Sequence, residues 1–364
     1  MKSVQKYYSD NWQQACMKFM DFSRGLGDVK WCVAKNHDYD IPYVKIGNGT
    51  NKIVLYSGLN GLDAFYGCAA QNMFLEKFAS QLSPQMCEQY TVVLMPVVNG
   101  WGMNNKMYDV LNTDNKLVDL SRNFLPNFND LPQLNRHYKQ MNDLFVSRPT
   151  KTKLGKVADA VSNVSQMNMQ NSVDMGQYEN PDWLFYGGNE PTVENKMLRH
   201  IYKTVAQDAT SIKSIGLCTG AGSYDVFLRN IGQLRVAHNV AHPATIYYKN
   251  MCDRSDVKCN TNFEKNGTLS KALESEFGAR NVPVYLADFL VSVCVQNFDV
   301  YKYKYLGDAK YEFKKYGEVS NDIKNKSLNL FCPADEAWRK YALDATYKLF
   351  RDIVSNMARG EKQK

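Results

Sequence analysis

Four short runs that are apolar almost without interruption set the tightest limit on what this chain can fold into: KIVLYS (52–57), YTVVLMPVV (90–98), SIKSIGLC (211–218) and VPVYLADFLVSV (282–293). A strand with one face in water alternates apolar with polar residues, whereas a strand covered on both faces does not, so these runs predict a largely parallel sheet packed between helices. The intervening sequence supplies the helices. SDNWQQACMKFMDF (9–22) carries apolar residues at helical spacing with Ser9 or Asp10 as its cap, and AFYGCAAQNMFLEKFASQL (64–82) forms a second helix. PADEAWRKYALDATYKLFRDIVSNMARG (333–360) closes the chain with a long amphipathic helix. The expected class is α/β.

With 364 residues, 44% of them apolar, the chain can fill a sizeable core. It contains no internal repeat and no low-complexity linker, which favours a single domain over 1–364 with a polar, less regular excursion at 146–180. The net charge of +7 is spread through the sequence apart from the tail RGEKQK and the segment YKYKYLGDAKYEFKKYG (301–317), so it gives no specific signal for nucleic acid. That Lys/Tyr segment is expected to be a solvated hairpin or loop. The nine cysteines are odd in number and scattered, with Cys68 and Cys294 in apolar contexts, which suits a reduced, intracellular chain. Cys252 and Cys259 are too widely spaced for a metal knuckle. The first residues, MKSVQKYYSDNWQQ, lack the apolar core of a signal peptide, and no run approaches a membrane span. A cytoplasmic protein is expected, and the abundance of Lys, Asn, Tyr and Met would suit a viral or phage protein working in a host cytoplasm.

In such sheets functional groups gather where strands end and loops begin. The four strand ends lead into SGLNGLDAFYG (57–67), VDLSRNF (118–124), GLCTGAG (216–222) and VYLADF (284–289), and NPDWLFYGGNEPTVEN (180–195) precedes a helix. Taken in order, these motifs resemble those of the zinc metallocarboxypeptidase superfamily, in an uncharacterised bacterial branch, with S-G-x-H-G-x-E-G, V-D-L-N-R-N-F, Y-G-G-x-x-P, L-H-T-G-L-G and a late strand bearing glutamate. The first helix and FCPADEAWRKYALDA (331–345) also look like that branch's ends, so the resemblance spans nearly the whole chain. It implies a mixed sheet between helices, zinc held by a histidine and a glutamate of the first loop and a histidine of the third, and a late-strand glutamate that moves protons.

Every one of those positions differs here. The zinc positions correspond to Asn60, Asp63 and Cys218, and the proton-transfer position to Asp288. A neutral amide is a weak zinc ligand. Asp63 keeps a carboxylate on a stem one methylene shorter, and Cys218 offers a thiolate. Shortened reach at Asp288 matters where a misplacement of about 1 Å can cost roughly a hundredfold in rate. Glu276, in SEFGAR, is a second choice for the acid, although its segment reads as a helix ending at Gly278 rather than a strand. The pair that the resemblance assigns to the substrate carboxylate is Ser121 and Arg122. Arg122 suits that anion, or equally a structural pairing with Asp119 or a loop carbonyl. MYDVLNTDN (107–115) has no arginine to polarise a scissile carbonyl, a loss that typically costs a few kcal/mol of barrier.

Other motifs carry less. His238 and His242 are four apart, but no general-base glutamate accompanies them and Pro243 follows. Gly216, Gly220 and Gly222 have neither dinucleotide nor P-loop spacing. Cys218 is as much a small buried hydrophobe as a nucleophile. His37, His137 and His200 read as surface residues. Two functions follow: a catalytically degenerate carboxypeptidase-like protein that binds a protein or peptide partner without zinc, or a metal-dependent hydrolase of peptides or acylated amino acids with a rebuilt Asp/Cys site.

Overall fold

The computed structural model describes residues 4–27, 29–35, 37–133, 136–150, 152–163, 175–220, 232–236, 258–259, 267–291, 293 and 298–361. The strands are β1 (Val29–Cys32), β2 (Ile41–Ile46), β3 (Asn51–Ser57), β4 (Tyr90–Met95), β5 (Val110–Leu111), β6 (Leu117–Val118), β7 (Ser211–Cys218), β8 (Gly232–Val236), β9 (Lys258–Cys259) and β10 (Val284–Val291). Eight of them form one sheet in the order β1-β2-β4-β3-β7-β10-β8-β9, and β5 and β6 make a separate hairpin. The central strands β4, β3, β7 and β10 run parallel, flanked by antiparallel β2 on one side and β8 on the other. The sheet is therefore mixed and mostly parallel, and the ends of β3, β7 and β10 open on the same edge.

Helices cover both faces: α1 (Trp12–Ser23), α2 (Ala64–Lys77), α3 (Pro84–Gln89), α4 (Gly100–Asn105), α5 (Arg136–Phe145), α6 (Lys153–Asn163), α7 (Val193–Val205), α8 (Leu269–Gly278), α9 (Phe298–Tyr316), α10 (Asn321–Phe331) and α11 (Glu336–Glu361). Ile53, Leu55, Leu217 and Phe289 enter one core, shared with α1, α2, α9 and α11. Val54, Tyr56, Ile212 and Leu286 enter the other, shared with α7 and α8. Two-sided burial is the physical reason the strands read as continuous apolar runs. Among the described residues no helix is long and apolar enough to cross a membrane.

Helix α2 is buried along its whole length up to Leu75, including polar Gln71 and Asn72. These two side chains satisfy backbone carbonyls, Gln71 Nε2 donating to Met95 (2.8 Å) and Asn72 Nδ2 to Tyr7 (3.1 Å). A glycine inside a helix is ordinarily unfavourable, yet at Gly67 an added Cβ would fall on Ser57 Cβ and 3.0 Å from the Leu217 carbonyl oxygen. The helix rests on the strand ends at a distance only glycine permits.

Several expectations are corrected. The cap of α1 is Asn11, which is extended and accepts from the Gln14 amide at 2.9 Å, rather than Ser9 or Asp10. The Lys/Tyr segment is helix α9, not a hairpin or loop: Tyr303, Leu306 and Lys310 recur at helical spacing and are buried, and Lys304 pairs with Asp308 at 2.6 Å. Within 146–180, α6 is an ordered helix with Val157 in the core, tied to α9 by the buried pair Lys153–Asp308 (2.5 Å). His37 lies against buried Glu194, with Nε2 3.3 Å from its carboxyl oxygen, instead of standing free on the surface. His238, His242, Cys252, Cys294 and Gly222 lie outside the described residues.

Gly67→Ala should lower stability by about 2–3 kcal/mol, because overpacking outweighs the gain of roughly 1 kcal/mol in helix propensity. A urea unfolding midpoint no lower than that of the parent would contradict the close approach.

Candidate functional site

The loop after β3 turns at Gly58 (φ 70°), and Asp63 sits at the start of α2. The Asp63 amide donates to the Asn60 carbonyl at 3.0 Å, folding the loop back on itself. The carboxylate of Asp63 is buried, and both of its oxygens accept hydrogen bonds. Its Oδ1 accepts from the Thr219 amide (3.2 Å) and the Thr219 hydroxyl (2.8 Å), and its Oδ2 from Asn60 Nδ2 (3.2 Å). The loop after β3 is thereby bound to the residue that follows β7. Burial drives the Asp63 carboxyl up to about 6, against the opposing hydrogen bonds from Thr219 and Asn60. Asn60 Oδ1 is buried and has no hydrogen-bond partner.

Asp288 stands on β10 opposite Gly216 of β7, and opposite Arg235 of β8 on its other side. The Tyr56 hydroxyl donates to Asp288 Oδ1 at 3.2 Å across the position of Gly216, where a Cβ would lie 2.5 Å from that oxygen. Glycine at 216 is what lets the two side chains meet over the middle strand. Burial first, then the nearby charges of Asp288 and Cys218, hold the Tyr56 phenol far above its ordinary range. Tyr56, Cys218 and Asp288 thus form one group at the sheet edge, with Cys218 and Asp288 half-buried.

Ser121 and Arg122 belong to a second knot. Arg122 is buried, its guanidinium paired with Asp119 and lying 4.4 Å from the centroid of the Phe185 ring. The hydroxyl of Ser121 donates to Asp119 Oδ1 at 2.6 Å and its amide to the same oxygen at 3.0 Å. Tyr108 stands between the two groups. Its hydroxyl is pushed upward by burial first, then by Asp119 and, more weakly, Asp63, and its carbonyl accepts from the Gly61 amide at 3.0 Å. Glu276 lies apart from both, on α8, where it pairs with Lys203 (2.5 Å) and Arg199 (3.5 Å) of α7.

The donors at the first loop do not fit a zinc ion. Asn60 presents a neutral amide, and both oxygens of Asp63 accept hydrogen bonds from neighbouring groups. Among the described residues no three His, Cys, Asp or Glu side chains converge on a point where they could hold a metal. Sequence reasoning offered Asp119 as a partner of Arg122, which the structure shows, but missed Thr219, Tyr56 and Tyr108. Thr219 directly follows Cys218, and Tyr56 has the strand parity of Val54, one face away from Leu55, but only the register across β7 brings Tyr56 to Asp288.

The family described as "Protein of unknown function (DUF2817)" matches residues 8–345. No curated protein matches the sequence. Among solved structures, the chain is similar to bovine thrombin-activatable fibrinolysis inhibitor in complex with tick carboxypeptidase inhibitor, with a TM-score of 0.53, 10% identity and coverage of 98% of this chain and 100% of that one. Carboxypeptidase A from Helicoverpa armigera gives 0.48 at 10% identity, covering 89% and 74% of the two chains. A metallo-carboxypeptidase from Burkholderia cenocepacia gives 0.48 at 8% identity, covering 96% and 69%. The fold is that of the metallocarboxypeptidases.

Two substitutions probe this site. Folded Asp63 retains its proton to about pH 6, whereas the unfolded chain releases it near 3.8, so its contribution to stability is greatest below pH 4 and declines as pH rises to 6. In Asp63→Asn the new amide keeps the Thr219 contacts, and Asn60 can turn its unpartnered oxygen towards it. The stability of this variant relative to the parent should rise between pH 4 and 6 by up to about 3 kcal/mol, measured by urea unfolding across that range; a pH-independent difference would contradict the buried, engaged carboxylate. Arg122→Met leaves Asp119 charged and buried, and should destabilise the fold by about 3–5 kcal/mol in the same assay.

Proposed function

Because the chain belongs to the family described as "Protein of unknown function (DUF2817)" and has the metallocarboxypeptidase fold, we propose that it is a catalytically degenerate member of that fold, whose strand-end region serves binding, regulation or structure. The observation that carries this reading is the state of Asp63. Its carboxylate is spent on Thr219 and Asn60 and fastens two loops together. Ligating carboxylates also accept hydrogen bonds, but three of the roughly four lone-pair sites of this one are taken by Thr219 and Asn60. The pairing of Arg122 with Asp119 supports the same view, since a guanidinium held on an internal carboxylate is less available to a substrate anion. The partner is a protein or peptide.

A second reading rests on a different observation. Cys218 and Asp288 lie half-buried on one face beside Tyr56, so a rebuilt hydrolase would use the thiolate of Cys218 with Asp63 to bind a divalent metal, and Asp288 to move protons. Metal analysis of protein purified without added metal separates the two. The degenerate reading expects essentially no zinc and a melting temperature unmoved by zinc or chelator, because only a ligand that binds the folded state raises stability. About one zinc per chain, abolished by Cys218→Ala, together with release of amino acids from peptides, would overturn it.

A further inference from the structure

A groove of about 650 Å³ lies between α4, the β5–β6 hairpin and the end of α9, with the following loop and the start of α10 at its rim. None of Asn60, Asp63, Ser121, Arg122, Cys218 or Asp288 lines it. Its volume is that of a small-molecule site, within the roughly 300–1,000 Å³ such sites occupy. The walls are apolar and partly aromatic. Trp101 and Phe313 meet edge to face with centroids 6.4 Å apart, and Leu111 and Leu117 add the hairpin's side.

Four lysines line the groove against two carboxylates, Asp182 and Glu318, which leaves a net positive charge. Lys310 is buried, but its ammonium is consumed by the Leu117 carbonyl (3.0 Å), the Pro181 carbonyl (3.3 Å) and the Asp109 carboxylate (3.5 Å). Lys314 is paired with Asp182 at 2.6 Å. Lys116 and Lys324 also line the groove, and among the described residues neither ammonium has a partner. A second, small recess of about 10 Å³ shares Met107, Lys310 and Lys324 with the groove. It is lined by Asp109 and Ser327, both buried, and Asp109 Oδ1 and Ser327 Oγ have no hydrogen-bond partner. A recess of that size has room for about one water molecule between these atoms.

We propose that this groove binds a small aromatic carboxylate. The flat body lies along Trp101, Phe313 and Leu117, and the anion meets Lys116 and Lys324. The assignment follows from chemical complementarity. Apolar walls alone would take any hydrophobe, and two unpaired ammonium groups select the negatively charged one. The site is independent of the function proposed above, because no side chain is shared between them.

The probe is 2-naphthoate, titrated calorimetrically into the full chain, with neutral 2-naphthylmethanol as comparison. Saturable binding of one naphthoate is expected, at least about tenfold tighter than the alcohol and weakening as salt is raised. Lys116→Ala/Lys324→Ala should weaken naphthoate at least about tenfold while leaving the alcohol unchanged, the change expected from losing two charge-assisted contacts. Both lysines lie at the rim and outside the core, and the melting temperature of the variant verifies that it is folded. Leu111→Glu, which places a negative charge at the hairpin wall, should likewise abolish naphthoate binding. Absence of saturable naphthoate binding, equal affinity for the alcohol, or naphthoate affinity unchanged in the folded double variant would each overturn the proposal.

Discussion

The guanidinium of Arg122 and the carboxylate of Asp119 are both withdrawn from water, a state that is tolerable only when the charges meet and their remaining hydrogen-bonding capacity is used. Here the whole segment from Asp119 to Phe124 is consumed in this way. Ser121 turns its amide and hydroxyl to Asp119, and the Arg122 carbonyl accepts from Tyr178 at 2.7 Å. Asn123 donates to the carbonyls of Gly187 (2.7 Å) and Glu190 (2.9 Å) and accepts from the Thr192 amide (2.8 Å). The Phe124 amide reaches the Gly267 carbonyl at 2.7 Å. Segments distant in sequence therefore converge on six residues, including the approach to α7, whose first turn is capped by Thr192. A motif that reads as a ligand-binding pair is also a structural junction.

The same doubling of roles occurs at the sheet edge. Asp63 starts α2 and fastens the loop after β3 to the residue after β7. Gly67 lets α2 settle on those strand ends, and Gly216 leaves the gap through which Tyr56 reaches Asp288. At these strand ends Asp63 is bound by Asn60 and Thr219, and Asp288 by Tyr56. Gly67 and Gly216 are fixed by how closely Ser57, Leu217, Tyr56 and Asp288 approach them, whereas a polar side chain can be exchanged for another if its hydrogen bonds are met locally.

Titration adds to that picture. Asp63, with its carboxyl raised to about 6 by burial, and Glu194, raised to about 7 for the same first reason, both favour their neutral forms more than exposed carboxylates do. Glu194 lies beside His37, whose own burial lowers its affinity for a proton. Buried acids of this kind cost stability as they ionise, and the hydrogen bonds from Thr219 and Asn60 offset part of that cost at Asp63.

The central strands, the two-sided covering of the sheet, the long final helix and the strand-end loops were legible in the residues, because a strand buried on both faces must be apolar throughout and a loop that meets a helix closely must use glycine. Helix α9 was not, since its Lys and Tyr residues also suit a solvated hairpin; the periodic burial of Tyr303, Leu306 and Lys310 became visible only once the sheet and α10 were beside it. Nor could the sequence find the cap of α1 or reveal that Thr219 engages Asp63. The residue types at Asn60, Asp63, Cys218 and Asp288, and so the chemistry each can offer, are readable from the chain alone. Which of their atoms are already engaged is not, because hydrogen bonds and burial depend on the register of β3, β7 and β10 across the sheet.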